Sequence, residues 1–285
     1  GKAAACVVAD LDGDRLADVL QPFEKGAMVF RGQSAGRFDS PVACGQVGTG
    51  AGRARALLGD YDADGLLDVF IASDSGCCIW QNRGRLSFEE AMHRSGEAGY
   101  ITKPMALDGM TCDINNDGRQ DFLVNYADRA PQVFFNRGFR SFGHAHGLDV
   151  QENELLAKAD KGTGAGVVGD FNRDGAQDMI VVLPDGELWC FFRNTAAGPA
   201  PSLRVALPAD GAVTGPVTVT GWQGKRCLGA WNVVRGTSEA FLARDVKGPI
   251  TVRWTLPGGE AQEKNVIVLR PTRFVLPMSE SRAGR

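Results

Sequence analysis

The chain has 285 residues, of which 44% are hydrophobic, and its 34 acidic and 31 basic residues give a formal net charge of −3. This composition excludes a disordered or collagen-like chain, and no apolar run of about 18 residues offers a membrane span. The length suits one large domain followed by a small one. The basic residues are scattered and form no stripe, so we expect no nucleic-acid partner.

An acid-rich nonapeptide occurs four times, starting at Asp10, Asp60, Asp113 and Asp170. These starting residues lie 50, 53 and 57 positions apart, a period typical of repeat arrays and propellers. Each copy has Asp or Asn at positions 1, 3, 5 and 9, and three of the four copies have Gly at position 6. Alternate oxygen donors around a sharp turn are what Ca2+ needs to gather about 6–8 ligands.

We therefore predict up to four structural Ca2+ ions, one in each loop. The predicted side-chain ligands are Asp10, Asp12, Asp14, Asp18, Asp60, Asp62, Asp64, Asp68, Asp113, Asn115, Asp117, Asp121, Asp170, Asn172, Asp174 and Asp178. The backbone carbonyl of position 7 is the remaining predicted ligand, supplied by Leu16, Leu66, Arg119 and Ala176. Arg15 stands where the other loops have Gly, and a left-handed non-Gly residue costs about 1 kcal/mol. We expect the first loop to bind calcium most weakly or to stay empty, and the second loop to bind it most tightly.

The loops are predicted to connect strands. An EF-hand needs Glu at position 12, but the residues there are Gln21, Ile71, Val124 and Val181. The flanking segments are short, apolar and rich in β-branched residues, which favours buried strands. A further apolar stretch follows each loop, and in the second and third copies an Asn-Arg-Gly step then predicts a tight hairpin. Three or four strands in about 50 residues are the content of one propeller blade.

The pattern Asp-x-Asp-x-Asp-Gly-x-x-Asp between strands, followed by Asn-x-Gly and Phe, resembles the FG-GAP or VCBS repeat of integrin α-subunit propellers. This resemblance implies an all-β fold in which residues 1–195 form four β-propeller blades. The blades could close a four-bladed ring or belong to a seven-bladed one. Glycine-rich segments at 48–52 and 162–166 precede strands. They fit close packing near a propeller axis better than a nucleotide-binding turn, which would open a helix.

The composition changes after the repeats. Residues 196–202 are predicted to be a Pro-containing linker and residues 277–285 a polar tail. Between them, residues 203–276 contain several alternating or β-branched segments. Leu203-Arg204-Val205 and the segment 252–259 resemble the ASPIC/UnbV domain, which often follows VCBS repeats in extracellular proteins. This resemblance implies a small β-sandwich-like domain.

The chain has no Gly-x-Ser-x-Gly or His-Glu-x-x-His signature of catalysis. The family resemblance implies a non-catalytic, calcium-stabilised recognition or adhesion scaffold that binds a protein or a glycan. It also implies a secreted, periplasmic or cell-surface location. The alternative is a carbohydrate-active enzyme resembling a polysaccharide lyase, for which the candidate residues are His93, Tyr100, Lys103 and Tyr126.

The seven cysteines share no position across the repeats, which argues against a disulfide framework. Free thiols are the favoured state, also for the adjacent Cys77 and Cys78. Cys6, Cys112 and Cys190 lie in apolar segments, and we expect them to be buried.

Overall fold

A computed structural model describes residues 6–23, 26–46, 54–73, 77–90, 105–115, 117–129, 131–138, 142–144, 162, 164–183, 185–192, 201–211, 213, 215–236, 238–244, 246, 248–257 and 259–277. Within these ranges the regular structure is β-strand, apart from one 3-10 turn at Ser34–Gly36. No helix in the described part of the chain is long and apolar enough to cross a membrane. The all-β prediction is confirmed.

The first two repeats fold into antiparallel four-stranded sheets, which we call blades 1 and 2. Neighbouring strands along the chain pair with each other, except that a short ribbon (β4 and β5) is inserted into blade 1. The strands of blade 1 and its ribbon are β1 (Val7–Ala9), β2 (Asp18–Phe23), β3 (Gly26–Phe30), β4 (Gly32–Gln33), β5 (Arg37–Phe38) and β6 (Val42–Gln46). Blade 2 has β7 (Ala54–Gly59), β8 (Asp68–Ser73), β9 (Cys77–Asn82) and β10 (Phe88–Glu90).

The third and fourth repeats form blades 3 and 4, again with consecutive antiparallel strands. Blade 3 has β11 (Ala106–Cys112), β12 (Asp121–Tyr126), β13 (Gln132–Asn136) and β14 (Phe142–His144). Blade 4 has β15 (Ala165–Gly169), β16 (Asp178–Val182) and β17 (Leu188–Phe191). The first strands of successive blades contact each other, from β1 to β7, β7 to β11 and β11 to β15. Successive meander sheets that meet along their first strands are the blades of a β-propeller, as the sequence predicts.

The blades stack face to face, which explains why their second strands are so apolar. Every residue of β8 and of β12 is buried, whereas a sheet with one solvated face would alternate. The Phe70 and Phe122 rings stack across the contact between blades 2 and 3, with centroids 4.1 Å apart. Phe134 continues the stack at 5.1 Å from Phe122. Aromatic packing therefore joins adjacent blades.

Each Asn-Arg-Gly step turns the chain with a single left-handed residue. Within each Asn-Arg-Gly step the glycine alone has a positive φ, 80° at Gly84 and 79° at Gly138. The preceding Asn82 and Asn136 stay in their strands and accept hydrogen bonds from the glycine N–H at 2.8 and 3.0 Å. The Asn side chain thus closes an Asx turn, and its amide group is left to make other contacts.

The C-terminal region forms two further sheets around a separate apolar core that includes Leu203, Val219, Val252 and Trp254. One sheet has the order β21-β18-β24 and the other β20-β19-β22-β23. Their strands are β18 (Ser202–Ala206), β19 (Val217–Gln223), β20 (Arg226–Val233), β21 (Ala240–Arg244), β22 (Pro249–Thr255), β23 (Ala261–Ile267) and β24 (Thr272–Val275). Two sheets over one core give the predicted β-sandwich-like domain.

The C-terminal domain lies against the blades. The Asn232 side-chain amide donates to the Val8 carbonyl at 2.9 Å, and the Gln120 amide donates to the Ala230 carbonyl at 2.7 Å. Ala230 is fully buried within the apolar core of the blades. Since Gln120 belongs to the third acidic loop, β20 contacts the end of the propeller that carries the loops.

Candidate metal centres

The four acidic loops lie at one end of the propeller. Each joins the first strand of a blade to the second, and because the blades share one strand order, the loops emerge at the same edge of every sheet. The structure describes residues 10–18, 60–68 and 170–178 completely, and 113–121 except for residue 116.

The Asp at position 1 folds its own loop. In the second loop, Asp60 Oδ1 accepts the N–H of Asp64 at 3.0 Å and Oδ2 accepts that of Gly65 at 2.9 Å. Asp113 and Asp170 bond positions 5 and 6 of their loops in the same way, at 3.0–3.2 Å. The position-5 Asp then accepts the N–H of position 7 in all four loops, at 2.8–2.9 Å. Carboxylates therefore replace the hydrogen bonds that regular structure would provide.

The Asp at position 9 ties the loop to its blade. Asp68 Oδ2 accepts the N–H of Tyr61 at 3.0 Å, and its Oδ1 accepts the N–H of Asn82 at 2.8 Å. Asp18 makes the equivalent pair with Leu11 and Gly32, at 2.9 and 2.8 Å. This position is the most buried of the four acidic ones, with Asp18, Asp68, Asp121 and Asp178 at most 1% exposed.

Positions 1, 3 and 9 converge in the first two loops. Carboxylate oxygens of Asp10, Asp12 and Asp18 lie within 4.8 Å of one another, and so do those of Asp60, Asp62 and Asp68. The third and fourth loops have Asn at position 3, and Asn115 and Asn172 each donate a side-chain hydrogen bond to the position-5 Asp at 3.1 Å. The predicted side-chain ligands of positions 1, 3 and 9 are thus brought together where all three are acidic. The position-5 carboxylates lie outside these two clusters.

Burial raises the pKa of Asp18, Asp60, Asp68 and Asp121. The pKa of Asp68 and that of Asp121 rise to about 8, that of Asp60 to about 7 and that of Asp18 to about 6. Desolvation is the largest cause in each case, and the neighbouring carboxylates raise the pKa further. A buried charge requires a partner, and a hard divalent cation surrounded by carboxylate oxygens supplies one. The donor set of the second loop therefore fits Ca2+.

The backbone shows that the first loop can form its turn. Arg15 at position 6 has a φ of 75° and Gly13 at position 4 a φ of 83°. The second loop has the reverse arrangement, with φ 59° at Ala63 and 95° at Gly65. The fourth has φ 64° at Arg173 and 85° at Gly175. Each of these loops has two left-handed residues, of which one is glycine, so the strain expected from Arg15 does not distinguish the first loop.

The loops are linked to one another by amide side chains that sequence reasoning missed. Asn82 Nδ2 donates to the carbonyl of Leu11 in the preceding loop at 2.9 Å, and Asn136 Nδ2 donates to that of Tyr61 at 2.8 Å. In the opposite direction, Gln120 and Gln177 at position 8 accept the N–H of Asp60 and Asp113, at 2.9 and 2.5 Å. The repeated Asn in the hairpin step was the only sequence signal for these links.

A pocket of about 410 Å³ lies between the fourth loop and the C-terminal domain. Phe171, which is 43% exposed, lines it together with Arg204, Glu239 and Arg273. Arg204 reaches Asp170 Oδ2 at 3.5 Å, and Arg273 pairs with Glu239 at 2.8 Å. The exposed ring can pack against an apolar face of a ligand, and the charged side chains beside it can form hydrogen bonds with the polar groups of that ligand.

Of the four candidates for the enzymatic alternative, the structure describes only Tyr126. Tyr126 is fully buried within the apolar core of the blades, and His93, Tyr100 and Lys103 lie outside the described residues. All seven cysteines are free, as favoured from the sequence, including Cys77 and Cys78. Cys112 is buried as expected, but the expectation was wrong for Cys6 and Cys190, which are exposed near the ends of the described sheet segments.

Comparison with known proteins supports the repeat. Residues 113–181 match a family model described as an FG-GAP-like repeat. That segment contains the third and fourth loops and the strands β12 to β14 of blade 3, so the predicted FG-GAP-like repeat is present there. The comparison with curated proteins gave no match.

The matching solved structures include a lectin of Agrocybe aegerita described as recognising non-reducing terminal N-acetylglucosamine. It has 16% sequence identity and a TM-score of 0.47, with 94% of this chain and 80% of that chain covered. Another is the Tc holotoxin pore of Photorhabdus luminescens, with 16% identity and a TM-score of 0.38. That alignment covers 64% of this chain and 8% of the toxin chain.

Proposed function

We propose that this chain is a calcium-stabilised, non-catalytic recognition scaffold of secreted, periplasmic or cell-surface proteins. Ca2+ binds in the acidic loops, and the rigid loop end of the propeller presents a surface to a glycan. The C-terminal sandwich, with its ASPIC/UnbV-like segments, caps that end. The observation that carries the proposal is the buried carboxylate cluster of Asp60, Asp62 and Asp68.

The charge balance of the second loop supports calcium. Asp60 is 2% and Asp68 1% exposed, and Gln81, the side chain that bonds Asp62, is neutral. Without a cation, burial favours the protonated forms of Asp60 and Asp68 at neutral pH. A metal that binds the folded loop and not the unfolded chain stabilises the fold.

The pocket beside the fourth loop is the proposed glycan site. Phe171 belongs to that loop, and its N–H is held by Asp178 at 3.0 Å, so calcium binding fixes the backbone that carries the ring. Arg204, Glu239 and Arg273 stand around it as hydrogen-bonding groups for sugar hydroxyls. Rigid aromatic and planar charged side chains lose little entropy on binding.

A glycan array probed with the full chain in calcium and in chelator tests the proposal. We expect a defined glycan class to bind in calcium and to lose at least about tenfold in affinity after Phe171→Ala, about 1.4 kcal/mol. Phe38→Ala is the matched control, because Phe38 is 49% exposed on blade 1 and does not line the pocket. An equal loss of glycan affinity in the two variants, or an unchanged affinity in both, would refute the site.

A further inference from the structure

An arginine that follows the third strand of blade 1 pairs with two carboxylates of the first loop. Arg31 follows β3, where Phe30 pairs with Val19, so it emerges beside position 9 of the loop. Its Nε lies 2.5 Å from Asp12 Oδ2 and its NH2 group 3.0 Å from Asp14 Oδ2. The guanidinium thus bridges positions 3 and 5, two of the four side chains predicted to hold calcium. The Asp12 side chain is only 5% exposed, so the ion pair neutralises a nearly buried charge.

The equivalent positions of the other blades are uncharged. Gln81 stands next to Trp80, which pairs with Val69, and its amide donates to Asp62 Oδ2. By the same register, blades 3 and 4 have phenylalanines there, Phe135 and Phe192. The side chain that contacts position 3 from this site is therefore a neutral amide in the second loop and a guanidinium in the first.

Arginines also contact the third and fourth loops, but at other positions. Arg119 pairs with Asp117 at 3.2 Å on the exposed position 5. Arg204 approaches Asp170 at position 1 from the C-terminal domain, at 3.5 Å. Neither contact joins positions 3 and 5 of its loop, as that of Arg31 does.

A guanidinium can replace a metal in such a loop. It presents a planar fork of donors, keeps its charge at any physiological pH and binds carboxylates in fixed geometry. Ca2+ would have to displace it from two ligands, and two cations a few ångströms apart repel. The first loop also closes differently, since Asp10 Oδ1 accepts the N–H of Gly13 at 2.8 Å in place of position 5.

We propose that Arg31 serves as a built-in cation in the first loop, so that blade 1 is closed without calcium while the other loops bind it. The inference rests on the proposed function in one respect, because it requires calcium in the second loop. Blade 1 then stays folded at calcium concentrations that empty its neighbours.

Reciprocal substitutions test this proposal. Arg31→Gln copies the side chain of the second blade, and Gln81→Arg copies that of the first. Equilibrium dialysis with metal analysis should show one additional bound calcium per chain for Arg31→Gln and one fewer for Gln81→Arg. Arg31→Lys keeps a positive charge and should leave the number unchanged, which separates loss of charge from general loosening of the loop.

Crystals with a lanthanide in place of calcium locate the sites by anomalous scattering. We expect a peak in the second loop of the wild type, and a peak in the first loop only after Arg31→Gln. A peak in the first loop of the wild type, or no gain after Arg31→Gln, overturns the inference and leaves calcium in the second loop intact. A second loop without metal in the wild type refutes the calcium proposal itself, and this inference with it.

Discussion

Asp68 is 1% exposed and accepts hydrogen bonds from two backbone N–H groups, yet its pKa rises to about 8. The two hydrogen bonds lower the pKa, but burial and the charges of Asp62 and Asp60 raise it more. The two backbone hydrogen bonds thus favour the ionised carboxylate of Asp68, whereas burial and the neighbouring negative charges disfavour it. A bound cation stabilises the ionised carboxylate of Asp68, and without a cation the protonated carboxyl group is favoured at neutral pH.

The raised pKa values predict how stability depends on pH. In chelator, Asp60, Asp68 and Asp121 bind protons in the folded state up to about pH 7–8 but only up to about pH 4 when unfolded. The folded state therefore holds more protons in this window, and its stability falls as pH rises, by up to about 1.4 kcal/mol per pH unit for each proton.

In saturating calcium the dependence should flatten, because the metal displaces those protons and the folded state then holds no more of them than the unfolded chain in this window. Urea unfolding at about pH 5 and about pH 8, with calcium and with chelator, measures both slopes. A chelated protein that is more stable at the higher pH would contradict this assignment.

At the scale of strands and loops, the amide links make the loops a connected series. Gln120 accepts the N–H of Asp60 in the second loop and donates to Ala230 of β20. Asn136 joins the same two loops from the next hairpin. Closing one loop therefore positions the backbone of its neighbour, and metal binding in adjacent loops should be coupled.

Gln120→Ala tests this connection. The substitution leaves the buried N–H of Asp60 and the Ala230 carbonyl without partners, which we expect to destabilise the chain by about 2–4 kcal/mol. It should also lower the calcium affinity of the second loop, although Gln120 is not a predicted ligand. Urea unfolding and calcium titration measure the two effects, and Gln33→Ala on the exposed ribbon is the control. A loss of stability below about 0.5 kcal/mol would show that the link is dispensable.

The sequence predicted those elements whose signal is local. The loops repeat their donors at fixed offsets, and the flanking strands are short and apolar, so blades and loop positions followed from the pattern alone. Gln120 and Ala230 are 110 positions apart, and Arg31 and Asp12 are 19 apart. Such contacts depend on strand register and on how domains meet, which no local pattern encodes. Arg15 has the left-handed backbone that the sequence predicted, but Ala63 and Arg173 at position 4 of other loops are left-handed too, so this cost alone does not rank the loops.

At the scale of the whole molecule, hydrogen bonds and packing contacts connect the acidic loops, the propeller blades and the C-terminal domain. The loops close the end of each blade, amide side chains join them, and β20 and Arg204 attach the C-terminal domain to that end. The pocket with Phe171 lies at this junction. Removing calcium should therefore weaken blades 2 to 4, their contact with the C-terminal domain and the proposed glycan site together.

Thermal unfolding of the full chain in calcium and in excess chelator tests the central claim most directly. Each loop saturated at about 100 times its dissociation constant adds about 2.7 kcal/mol, so occupation of the second, third and fourth loops should raise the melting temperature by roughly 10 °C or more. Mg2+ at the same concentration should do much less, because it demands a smaller octahedral site. Superimposable melting curves in calcium and chelator would contradict a calcium-stabilised scaffold.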